Sequence, residues 1–316
     1  MKKKLLSAVL AAAMMLPAAC PSMAAESAMN TICAPSGIVE AGDGSFLVTD
    51  TYNKVIWKVN GGISTVFAGK TGAVDIYGEP LGGYNDSSLD QSYFKQPWAI
   101  TPFLDGFAVT DTESNVVRLV RAGNNKTQTA TGKKQKGAAN GYGIAATFSH
   151  PTGLANDEEG NLYIADTGNN KIRKLTPTGD ITTYMDSLNE PTGLCWKNGV
   201  LYVAESGANR IIKIVNGSVY VAAGSGTQGT ADGSLEQAQF SEPQGVAVSD
   251  DGTVYVSDTG NSSIRKIQNG QVTTLIACDK TAMEQYPMEP IGLMICGNQL
   301  YVCDNFSKKV FVIARQ

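Results

Sequence analysis

Five polar side chains share one kind of position in this chain. Gln96, His150, Glu190, Glu242 and Glu289 each stand directly before a proline, and Ala34 fills the same slot before Pro35. Three carboxylates and an imidazole from successive units are groups that hold a divalent cation such as Ca2+, or an amine, where a fold makes them converge. Trp98, just after Pro97, adds an aromatic face suited to a sugar or a peptide. Gln96, Trp98, His150, Glu190, Glu242 and Glu289 are therefore the candidate ligand-binding residues. The plainer alternative is that a polar residue before proline only bonds neighbouring backbone.

A second set is more regular. Asp50, Asp111, Asp166, Glu205, Asp258 and Asp304 close six β-rich runs, such as Leu162-Tyr163-Ile164-Ala165-Asp166. An acid there accepts hydrogen bonds from the N–H groups of the turn that follows and from the next Thr or Asn. Every unit carries one, so these acids are read as structural. No residue is assigned a catalytic role. His150 is the only histidine, which rules out a zinc site of several histidines. A Ser–His–Asp triad would lack a Gly-x-Ser-x-Gly elbow.

Both sets depend on an internal repeat for their placement. Pro is followed two residues later by Gly at Pro35, Pro151, Pro191, Pro243 and Pro290, and by Ala99 after Pro97. A small residue suits strands that converge on an axis. The sixth residue after each acid is apolar (Ile56, Val117, Ile172, Ile211, Ile264, Val310). So is the ninth (Val59, Val120, Leu175, Ile214, Ile267, Ile313). Strand–turn–strand units with Gly and Asn at the turns give antiparallel meanders. Four strands in roughly 45–50 residues make one propeller blade.

The expected fold is all-β: a six-bladed propeller over residues 25–316, with blades opening near 35, 97, 151, 191, 243 and 290. The last unit ends after its third strand. The segment 28–33 is expected to supply the fourth and close the ring, removing open edges.

The run Gly160–Lys174, GNLYIADTGNNKIRK, resembles the NHL-repeat signature, and it recurs with variation across the chain. A second family-like feature is a loop into the next blade, seen over 137–151 and 229–243 and in longer form over 69–97. The resemblance implies the six-bladed ring but no single activity. Such propellers serve as ligand sensors, protein- or RNA-binding domains and, in one branch, as a lyase. That lyase branch builds its zinc site from several histidines, which this chain lacks.

The ends and the composition set the class. Met1–Lys4 is a basic head, Leu5–Leu16 an apolar run, and Ser22-Met23-Ala24 offers a cleavage site, so 1–24 reads as a signal peptide. The rival is a lipoprotein acylated at Cys20, although Pro17 sits where such a box usually carries Leu. Residues 25–316 hold 22 basic and 29 acidic side chains, a poor balance for nucleic acid. No later stretch reads as a membrane span. Cys33, Cys195, Cys278, Cys296 and Cys303 show no metal-ligand spacing. They are expected to be mostly buried, and no bridge is assigned.

The function expected is an extracytoplasmic, periplasmic or secreted, scaffold that binds a protein, peptide or glycan through its loop-rich face and needs no cofactor. The alternative is a metal-dependent hydrolase or lyase similar to lactonase-like propellers. Glu190, Glu242 or Glu289 would then hold Ca2+ at the channel mouth.

Overall fold

The computed structural model describes residues 31–277 and 286–315. The expected signal peptide and the Cys20 site lie outside the described residues. Six antiparallel sheets follow one another along the chain and form a six-bladed propeller. Blade 1 is Pro35–Glu40, Phe46–Asp50, Val55–Asn60 and Ile63–Ala68. Blades 2 to 5 repeat this meander from inner strands Pro97–Phe103, Pro151–Asn156, Pro191–Lys197 and Pro243–Val248, and blade 6 opens with Pro290–Cys296.

In every blade the opening proline pairs with the structural acid, as in Pro151 with Asp166 and Pro243 with Asp258. A register shift follows at once, because proline brings no N–H to the ladder. After each acid the chain turns tightly through a left-handed residue. This is Asn115, Asn170 or Asn209 in blades 2 to 4, at φ of 56°, 58° and 50°. Asn tolerates that conformation better than most residues.

The apolar positions six residues after each acid are all buried. Those nine residues after it are buried in five blades, while Ile313 is half-buried. The core thus lies between neighbouring sheets, as where Phe103 and Leu119 of blade 2 meet Leu154 and Ile164 of blade 3.

The bore is set by backbone contact. A Cβ on Gly153 would lie 2.0 Å from the Thr192 carbonyl oxygen, and one on Gly245 2.0 Å from that of Ile291. Gly292 stands in the same relation to Ser36, so blade 6 meets blade 1. Threonine hydroxyls tie the seams. Thr110 donates to Thr152 O at 2.7 Å, Thr167 to Pro191 O at 2.7 Å, and Thr259 to Pro290 O at 2.7 Å.

The strand expected over 28–33 is not formed in its described part. Thr31, Ile32 and Cys33 belong to no strand, residues 28–30 lie outside the described residues, and blade 6 has three strands among the described residues. The reason is local. The N–H groups of Cys33 and Ala34 donate to the Asp50 carboxylate at 2.8 and 3.1 Å, and Asn53 holds Thr31 O at 2.7 Å. Blade 1 therefore takes the Cys33 N–H and the Thr31 carbonyl oxygen, two groups that a strand on blade 6 could have used. Ile32 is buried among Trp57 and Val48 of blade 1 and Cys303 and Val310 of blade 6.

Cys33 is disulfide-bonded. Cys303 is a buried free thiol, and Cys195 and Cys296 are half-buried free thiols. No helix among the described residues is long and apolar enough to cross a membrane.

Candidate functional site

The six acids are buried, and each accepts hydrogen bonds close to home. Asp166 takes Ser149 N at 2.7 Å, Asn169 Nδ2 at 2.8 Å and an Arg173 guanidinium nitrogen at 2.9 Å. Asp258 repeats this with Ser241, Asn261 and Arg265. Asp111 takes Lys95 N and Gln96 N, Glu205 takes Asn189 N and Arg210, and Asp304 takes Glu289 N and Ser307 N. Burial pushes the carboxyls of Asp111, Asp166, Asp258 and Asp304 above the usual range, against the opposing pull of their donors. None of the six lines the mouth of the channel.

Three arginines escaped the sequence reading. Arg118, Arg173 and Arg265 lie seven residues after the acids of blades 2, 3 and 5 and are essentially fully buried. These are the blades entered through a long loop. Arg173 binds Asp166, Thr147 O, Ala139 O and Asn140 Oδ1 at 2.7 to 3.0 Å, and its guanidinium lies over the Phe148 ring at 5.2 Å. Arg265 does the same with Asp258, Asp232 and Phe240, and Arg118 with Asp86 and Phe94. Blades 1, 4 and 6 have Trp57, Ile212 and Phe311 at this position. The co-occurrence of Arg with the loop was the available signal.

The candidate ligand-binding residues separate into two groups. A cavity of about 390 Å³ opens at the channel mouth, lined by Trp98, Glu190 and Glu242 among others. Position two of four consecutive blades contributes, as Trp98, Thr152, Thr192 and Gln244. Ser206 and Asn209 come from the blade 4 turn, and Gln228 from the loop into blade 5. Gln96, His150 and Glu289 do not line it. The Gln96 N–H donates to Asp111 and the Glu289 N–H to Asp304. Burial, with the nearby Asp304 charge, holds the Glu289 carboxyl above its usual range. Among the described residues no three His, Cys, Asp or Glu side chains gather as metal ligands. The three carboxylates and the imidazole thus form no ready cation cage.

Backbone strain fixes part of this rim. His150, Glu190 and Glu242 adopt φ of 48°, 47° and 47°, left-handed values that are costly for such residues and doubly so before proline. Each of their N–H groups donates at 2.9 Å to an Asn of the preceding blade: Asn115, Asn170 and Asn209 respectively. These are the left-handed turn residues described above. Where Lys54, Ser262 or Lys308 replaces the Asn, the next pre-proline residue is not left-handed. The Asn therefore sets where the following pre-proline side chain emerges. Below the mouth, all six inner strands line a narrow bore through Gly37, Ala99, Gly153, Gly193, Gly245 and Gly292.

Comparison with known proteins agrees with this architecture. Suppressor of Quenching 1, a chloroplast protein of Arabidopsis thaliana, is 28% identical over 224 residues, covering 67% of this chain and 17% of that protein. The chain spans less than a quarter of the length of the curated relatives it matches. Virginiamycin B lyase from Staphylococcus aureus superposes with a TM-score of 0.61 at 15% identity, covering 91% of this chain and 97% of the lyase. An auxiliary nutrient binding protein from Bacteroides ovatus gives 0.65 at 14%, covering 90% and 69%. At such identities the likeness is one of fold. The family model of the teneurin NHL domain matches residues 121–300, more than half of the chain. With six blades built on recurring acid–turn–strand units, the chain belongs to this family of NHL-repeat β-propellers.

Proposed function

We propose that this protein is an exported binding platform whose ligand, a protein, peptide or glycan, sits over the channel mouth. The observation that carries the reading is the convergence of Trp98, Glu190 and Glu242 on one cavity, with both glutamates on backbone held in left-handed geometry. Strained backbone that the fold over-determines belongs where a side chain must be presented in one direction. Export is supported by the leader-like segment 1–24 and by the Cys33 disulfide, a bond at home in oxidising compartments. The hydrolase or lyase alternative is the less favoured reading, because of its three carboxylates only Glu190 and Glu242 line the cavity and no three His, Cys, Asp or Glu side chains gather there among the described residues.

The test is crosslinking and affinity capture from envelope extract with the chain beginning at residue 25, read out for proteins and glycans together. Capture should be lost with Trp98→Ala and kept with Tyr220→Ser, an exposed position on the outer strand of blade 4. Capture indifferent to Trp98, Glu190 and Glu242 would overturn the reading.

A further inference from the structure

We infer that the mouth cavity is a receptor for an organic cation: an ammonium or guanidinium group, carried by a peptide side chain or a free amine. The inference rests on the mouth being the ligand site and adds the chemistry of what enters it. Three observations point the same way.

The first is charge. Glu190 and Glu242 line the cavity, and among the described residues no Lys, Arg or His does. The second is the use of the hydroxyl protons. Thr167 Oγ1 donates to Pro191 O at 2.7 Å. Thr152 Oγ1 lies 2.6 Å from Thr167 Oγ1 and 3.3 Å from Thr192 O, so its proton has partners inside the wall. Thr192 Oγ1 is placed to donate to Pro243 O at 3.2 Å. A hydroxyl has one proton and two lone pairs. With their protons turned into the seams, Thr152, Thr167 and Thr192 present acceptor capacity to the cavity. The third is Trp98, half-buried and lining the same cavity, whose ring face favours a cation over an anion. Acceptors, negative charge and an aromatic face together suit a donor-rich positive group and disfavour a phosphate or carboxylate ligand.

The positioning residues follow from the same geometry. Asn170 and Asn209 accept the N–H groups of Glu190 and Glu242 and keep both in left-handed backbone. They act through the glutamates, and Asn209 also lines the cavity itself.

The experiment titrates the protein with Nα-acetyl-lysine amide, Nα-acetyl-arginine amide, putrescine and a neutral cello-oligosaccharide. Trp98 fluorescence is the readout, with Trp98→Phe identifying the signal and calorimetry as a second measure. The cations should bind, more weakly as salt is raised. Glu190→Gln and Glu242→Gln, both at exposed positions, should each weaken binding about tenfold with an unchanged melting transition. Selective binding of the acetylated amides would assign a peptide source, and selective binding of putrescine a free amine. If only the neutral sugar binds, the mouth remains the ligand site and the cation inference fails. If none of the four perturbs Trp98 or releases heat, both fail. Cation binding that survives the double Glu→Gln variant also overturns the inference.

Discussion

Replacing Arg173 with Met tests whether the buried arginines hold the entry loops in place. Met preserves much of the stem and removes the guanidinium. The loss comprises the bond to buried Asp166 at 2.9 Å, those to Thr147 O, Ala139 O and Asn140 Oδ1 at 3.0, 2.9 and 2.7 Å, and the stacking on Phe148. Removing one partner of a fully buried ion pair costs about 3–5 kcal/mol, mostly because the other charge is stranded. Asp166 keeps two donors, Ser149 N and Asn169 Nδ2, which places the expected cost near the lower end, about 3 kcal/mol. Protonation of Asp166 offers a further escape. Its carboxyl already sits above the usual range through burial, and loss of Arg173 raises it more. A carboxyl raised in the folded state lends stability below its unfolded value and loses it as pH rises through the folded value. The deficit of the variant should therefore be smallest in acid and grow toward neutrality. Denaturant unfolding against pH reads the energy, and Asp166→Asn in the same background should recover part of it. Hydrogen exchange at Gly137 and Thr147, whose N–H groups bond within the loop to Phe148 O and Ala139 O, reads the position. A cost under about 1 kcal/mol, or unchanged exchange at those amides, would refute the buried-pair reasoning.

Other perturbations bear on the bore and the rim. Gly153→Ala would place a Cβ 2.0 Å from Thr192 O and should destabilise by several kcal/mol, about the cost of overpacking or more, seen as a lowered denaturant midpoint. Ala99, at the equivalent place in blade 2, should accept Gly with little penalty. Asn209→Ala should cost roughly 1 kcal/mol by leaving an L-residue without a polar side chain at φ 50°, and it should weaken cation binding as it frees Glu242. Glu289→Gln removes a carboxyl whose protonation folding favours. Relative to the parent it should gain more thermal stability at pH 7 than at pH 4, and an equal gain at both would contradict the raised carboxyl.

The ring was legible because its signals are local and repeated. A proline with a small residue two places on, an acid at the strand end and apolar residues six and nine places later locate each blade without any long-range contact. The rim was only partly legible. Trp98 belongs to blade 2 while Glu190 and Glu242 open blades 4 and 5, so their meeting depends on ring curvature that no short stretch encodes. The same curvature leaves Gln96, His150 and Glu289 outside the cavity. The left-handed glutamates ran against the usual preference before proline; their signal lay in the Asn of the preceding turn, read as an ordinary turn residue. The arginines were masked by alternation within strands such as Lys171–Leu175, where a charge in that register normally faces water. The segment 28–33 looked like a strand by its residues alone, and of its described part the Cys33 N–H goes to the Asp50 carboxylate instead of a ladder.

The glycine-to-carbonyl seams have a consequence for how such a molecule changes over time. Because a glycine meets a neighbouring carbonyl at five of the six seams, none of these glycines can be traded for a larger residue, and the gauge of the ring is cast in peptide groups. Variation is pushed outward, to the loops entering blades 2, 3 and 5 and to the few side chains that look into the mouth. New specificity can then arise by redecorating the rim over an unaltered bore, which separates the inheritance of shape from the inheritance of taste.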